Sequence, residues 1–153
     1  MDRGPDGTAE NWVEHHKAIE AHGNDWARLR ALDRSRPLVV AGDFNQTRDG
    51  SRKYCSDRSI DLLNTQLERN NLICVTDKDF GRDGQLNVDP RKGYYRHNID
   101  HVCLTAPLKA VNVDAWDHFS ETQEFSDHNG AFVETHDDPA PDVYGTVRLV
   151  RND

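Results

Sequence analysis

Large apolar side chains are scarce in this chain. Leu, Ile, Val and Phe supply 32 of 153 residues, and the mean hydropathy is −0.87. A share of about one fifth borders on the composition of disordered chains. The apolar residues still fall in periodic runs, which points to one folded but core-poor domain. No uncharged apolar stretch approaches the ~20 residues that a membrane-crossing helix needs. Basic charge is short as well: 19 Lys and Arg stand against 27 Asp and Glu, for a net charge of −8. That balance argues against tight non-specific binding to DNA, which requires many phosphates to be neutralised. The three cysteines are too few and too widely spaced for a disulfide framework, a zinc site or a CxxC redox motif. Cys74 and Cys103 lie in apolar runs and read as buried thiols, which fits a reducing compartment and a cytoplasmic location. There are no internal repeats.

The most informative stretch is Pro37-Leu38-Val39-Val40-Ala41-Gly42-Asp43-Phe44-Asn45-Gln46. Its β-branched, unbroken apolar run reads as a short buried strand, with Pro37 at the strand start and Gly42 turning the chain at its end. Asp43 and Asn45 leave the sheet together. Both are good turn formers, and both suit chemistry at a strand's carboxyl end.

The rest of the chain alternates helical and extended patterns. Thr8 can cap a helix over residues 9–21. His22-Gly23-Asn24 interrupts it, and a second helical segment follows through Asp33 with Trp26, Leu29 and Leu32 as its apolar stripe. His15, His16 and His22 read as surface residues. Arg48, Arg52, Lys53 and Arg58 crowd the polar loop after the central stretch, and a solvated loop is the plainer reading than a phosphate patch. A helix is expected over residues 59–70, stopped by Asn70-Asn71. Strands are expected over 72–76, 99–105, 109–116 and 131–135, with a further short one starting near Gly93. Residues 1–8 read as a loose terminus and 137–153 as a tail or edge strand around residues 143–150.

Two later stretches bear on Asp43 and Asn45: Asn98-Ile99-Asp100-His101-Val102 and Ser126-Asp127-His128-Asn129-Gly130. Taken singly, Asp100 could cap a strand end, Ser126-Asp127 could be a turn, and His128 a satisfied histidine. Gly-Asp-Phe-Asn, Ile-Asp-His and Ser-Asp-His in that order resemble the endonuclease/exonuclease/phosphatase family, over a span from about Trp26 to Glu134. The resemblance implies part of a two-sheet α/β sandwich of the DNase I-like type, occupying residues 9–136. It implies a metal-dependent phosphoesterase acting on a nucleic acid, a lipid headgroup or a small phosphate ester. Its roles would be Asp43 as base, Asn45 orienting water and donating to phosphate, Asp127 binding Mg²⁺ (or Mn²⁺), His128 bonding to the phosphoryl oxygen, and Asp100 fixing His128. His101, on the opposite strand face, stays outside the site.

The chain departs from the family in one respect. Only 42 residues precede Asp43, too few for the strand and glutamate that carry further metal ligands in the family. Glu10, Glu14 and Glu20 fall on a helix and do not replace them. The expectation is a domain lacking its N-terminal strands, with weak Mg²⁺ binding, low turnover and self-association through an exposed sheet edge. Two alternatives stand beside it: a non-catalytic fragment or interaction module, and a histidine-rich metal-binding protein.

Overall fold

A computed structural model describes residues 10–137. The expected loose terminus at 1–8 and the strand near 143–150 lie outside the described residues. The order of elements is α1 (Glu10–Leu32), β1 (Val39–Asp43), α2 (Asp57–Arg69), β2 (Ile73–Cys74), β3 (Asp100–Leu104), β4 (Leu108–Trp116) and β5 (Gly130–Asp137). The described residues are mixed α/β, with two helices and two small antiparallel sheets. One sheet has the order β1-β3-β2, and the other is the β4-β5 hairpin.

The expected break at His22-Gly23-Asn24 does not occur, and one 23-residue helix runs through it. The reason lies in packing. Gly23 is buried where α2 crosses α1, and a Cβ there would lie 2.1 Å from Oε1 of Gln66. The missing side chain makes room for a neighbouring helix, which offsets the intrinsic cost of a helical glycine. Nδ2 of Asn70 donates to the Gly23 carbonyl at 3.1 Å and closes the crossing. The inward stripe of α1 is Trp12, His15, His16, Ile19, Gly23 and Trp26, spaced by three or four residues. His15 and His16 are therefore half-buried rather than surface residues. His16 Nε2 lies 2.9 Å from Ser59 Oγ, and its pKa is lowered by burial and by the nearby Arg58 charge.

Helix α2 starts at the N-cap Ser56, whose side chain accepts from Ser59 N, and stops at Asn70 with Asn71 at φ +54°. Leu63 and Leu67 turn inward and meet Ile19, Trp26, Leu72, Cys74 and Cys103 in the larger core cluster. Cys74 and Cys103 face each other across β2 and β3 as buried thiols. A smaller cluster of Phe80, Leu86 and Ala115 sits beneath the hairpin. The scarcity of apolar residues is thus met by two small cores.

The central strand is not buried as expected. β1 is the edge of its sheet, covered on one face only by the helices, and Val39 is 52% exposed. Strand alternation explains this. Leu38, Val40 and Phe44 pack against the helical core, while Val39, Ala41 and Asp43 point the other way. The stretch around Gly93 forms only an isolated bridge between Asp89 and Tyr94. Residues 72–76 shorten to a two-residue strand, although Val75 N still donates to Val102 O at 2.9 Å.

Candidate active site

Antiparallel pairing brings the end of β1 to the beginning of β3. Asp43 and Asp100 are register partners, so their side chains leave the same face of the sheet. Phe44 N donates to Ile99 O at 2.9 Å and continues the pairing past the carboxylates. Asn45 then turns away with φ +51°, a left-handed backbone that Asn tolerates better than most residues. In that turn Asn45 N donates to Asp43 Oδ1 at 2.7 Å, and Asn45 Nδ2 donates to Asp43 Oδ2 at 2.9 Å. This is the turn arrangement: the Asn45 amide, which the resemblance would direct to water and phosphate, is engaged with the Asp43 carboxylate.

The third motif arrives on the loop between β4 and β5. His128 Nδ1 lies 2.8 Å from Asp100 Oδ2, so Nδ1–H donates to the carboxylate and Nε2 turns toward the exposed Asp127. Asp43, Asp100 and His128 each place a ligand atom within 4.8 Å of the others. Asp127 does not join this triplet. Its side chain is 86% exposed, with Oδ2 3.9 Å from His128 Nε2 at the rim. Burial raises the Asp100 pKa and the Asp43 charge adds to the rise, while His128 opposes it. Two carboxylates and an imidazole in contact can hold and exchange a proton, which is the equipment of acid–base chemistry.

The loop is anchored by residues that the motifs alone did not reveal. Asn129 is buried, its Nδ2 donates to Arg96 O at 2.8 Å, and its Oδ1 accepts from His118, whose Nδ1 is 2.8 Å away. His118 Nε2 in turn lies 3.5 Å from Oδ2 of Asp89, a carboxylate with no exposed surface. Arg91 grips Asp89 through Nε at 3.0 Å and Nη2 at 3.1 Å, and this pairing holds the Asp89 pKa down at about 2. Arg96 Nη1 also donates to the Asp127 carbonyl. Asp89 lies in the irregular stretch between β2 and β3, where no local pattern betrays its link through His118 and Asn129 to the loop of His128.

A second cluster, Asp49, Asp79 and His97, also lies within 4.8 Å. His97 Nδ1 is 2.6 Å from Asp49 Oδ2, and the Tyr95 hydroxyl donates to Asp79 at 3.0 Å. Two of the four basic residues after β1, Arg48 and Arg52, are engaged with side chains of α2. Arg48 donates to Asn64 Oδ1 at 3.0 Å and Arg52 pairs with Asp57, which favours the solvated-loop reading over a phosphate patch. His101 is not part of the Asp43, Asp100 and His128 triplet. It is buried on the opposite face, with Nε2 donating to Gln46 O at 3.0 Å and Nδ1 facing Thr76 Oγ1 at 3.1 Å. Neither acidic–histidine cluster includes His15, His16 or His22, so among the described residues the histidine-rich metal site finds no support. No helix among the described residues is long and apolar enough to cross a membrane. Comparison with protein-family models, curated proteins and solved structures finds no match for the chain.

Proposed function

We propose that this chain is a metal-dependent phosphoesterase of the endonuclease/exonuclease/phosphatase type, with its two small sheets forming part of the DNase I-like sandwich. The observation that carries the reading is the convergence of Asp43, Asp100 and His128. They come from three separated motifs and meet within 4.8 Å.

Hydrolysis of a phosphate ester needs an oriented water, a proton acceptor, relief of charge at phosphorus and help for the leaving oxygen. Asp43, clamped by Asn45, accepts the proton of the water. Asp100 accepts from His128 Nδ1–H and orients the ring, and in its imidazolium form His128 donates Nε2–H to a phosphoryl oxygen or gives that proton to the leaving oxygen. The donor set is rich in carboxylate oxygen, the chemistry that a hard cation prefers. A Mg²⁺ or Mn²⁺ ion held by Asp127 would supply neutralisation of phosphate charge when bound. With Asp127 open to solvent and few carboxylates to share the ion, its affinity and the turnover of this chain alone are low.

The test is hydrolysis of bis(p-nitrophenyl) phosphate with and without Mg²⁺, by the parent chain and by His128→Ala. The expected result is metal-dependent turnover that falls by about 10²- to 10⁴-fold in the variant. Equal background from both proteins would replace this reading with the non-catalytic interaction module. One observation favours that second reading: the Asn45 amide is already engaged with Asp43, and Asp127 stands apart at the rim.

A further inference from the structure

Beside the Asp100–His128 pair opens a cavity of about 500 Å³, and one of its walls is the indole of Trp116. We propose that this indole is a stacking platform for a nucleobase attached to the phosphate that the Asp43, Asp100 and His128 site receives. The proposal rests on the phosphoesterase reading and narrows its substrate to nucleoside phosphate esters.

Three features place the ring on purpose. First, Trp116 is 56% exposed in a chain poor in apolar side chains, while its neighbour Ala115 on the opposite strand face is packed against Phe80 and Leu86. The core beneath the hairpin does not use the indole. Second, Trp116 is the register partner of Gly130, and a Cβ at residue 130 would lie 1.9 Å from Cε2 of the indole. The ring rests against bare backbone, which fixes its position, and any side chain at 130 would displace it. Third, Gly130 follows His128 by two residues and pairs with Trp116, so the platform and the imidazole line one cavity.

The class of ligand follows from the walls. The lining near the indole includes the small or apolar Val102, Gly130 and Ala131 along with His101, Ser126 and Asn129, and no Phe or Tyr lines this cavity. A quaternary ammonium group is usually enclosed by several aromatic faces. A single indole over small residues suits one flat ring, and aromatic stacking accepts any base because every base has a π-face. The net charge of −8 opposes a long polyanion, so a mononucleotide ester fits better than a duplex.

The experiment compares the p-nitrophenyl ester of thymidine 5′-monophosphate with methyl p-nitrophenyl phosphate, using the parent, Trp116→Leu and Trp116→Phe. The expected result is a preference of the parent for the nucleoside ester that falls about tenfold in Trp116→Leu, by the ratio of kcat/KM values, and is largely kept in Trp116→Phe. A ratio that is the same in parent and Trp116→Leu, or a parent preference for p-nitrophenyl phosphorylcholine over the nucleoside ester, overturns the platform and leaves the phosphoesterase reading standing. If no ester is hydrolysed, that reading fails, and binding decides the platform: thymidine 5′-monophosphate should shift the Trp116 indole N–H resonance of the parent chain. An unmoved resonance overturns the proposal, and this measurement does not depend on any variant folding.

Discussion

At the scale of single residues, Asp100 holds the most exposed balance of forces in the site. It is half-buried, faces the Asp43 carboxylate and relies on His128 for relief. Its pKa is raised, first by burial and then by Asp43. A raised acid contributes stability that is fully present below its unfolded pKa and is lost as pH rises through the folded value. The charged form is therefore the strained one at neutral pH. Asp100→Asn should show less loss of thermal stability than the parent between pH 4 and pH 7, while its activity on bis(p-nitrophenyl) phosphate falls. A variant whose stability profile matches the parent's over that range would mean that the His128 contact fully offsets burial and repulsion. Asn45 shows a different economy of means: one residue supplies both the left-handed turn and two hydrogen bonds to the Asp43 carboxylate.

At the scale of elements, the crossing of α1 and α2 decides how the helical layer sits on the sheet. The local pattern reads Gly23 as a helix breaker, and the tertiary contact makes it a spacer for Gln66. These two roles predict opposite signs for Gly23→Ala. A simple propensity effect would stabilise the protein by about 1 kcal/mol. Overpacking against buried Gln66 costs about 1–3 kcal/mol, so a net loss is expected in urea unfolding. In a Gln66→Ala background the same substitution should become stabilising, because the obstruction is gone. Failure of the sign to reverse would remove Gln66 as the cause. The stop at Asn70 was legible in the sequence, while the N-cap Ser56, which starts α2 two residues before the expected position, was not.

At the scale of the whole molecule, stability in acid should depend on a carboxylate far from the motifs. Asp89 has no exposed surface, and it links Arg91 and Lys92 to His118 and, through Asn129, to the loop of His128. Hydrogen bonding from Arg91 lowers its pKa from 3.8 to about 2. A depressed acid contributes stability that is present above the unfolded pKa and is lost as pH falls through the folded value. The loss belongs to the window between pH 4 and pH 2. Asp89→Asn should lower the melting temperature at pH 7 and flatten its fall across that window. An undiminished fall would place the acid sensitivity elsewhere. Among the described residues, the edge position of β1, with Val39 and Ala41 exposed, leaves a row of backbone donors and acceptors for a further strand. That edge is where the expected self-association would be sought.

The sequence by itself determined the residue types of the site and the approximate extent of most elements. Gly42-Asp43-Phe44-Asn45, Asp100 and Asp127-His128 are each short and local, and strand and helix periods are written in neighbouring residues. The opposite facing of Asp100 and His101 was legible too, because side chains alternate along a strand. Only the tertiary structure decided that Asp43 pairs with Asp100, that β1 is an edge, that Gly23 lies inside one long helix, and that Asp127 stays at the rim. Only the structure also brought Asp89, His118 and Asn129 together beneath the loop. These facts depend on which surfaces meet across tens of residues. Strand register, helix crossing and the burial of a charge are set by packing against distant partners, and no local pattern in the chain encodes them.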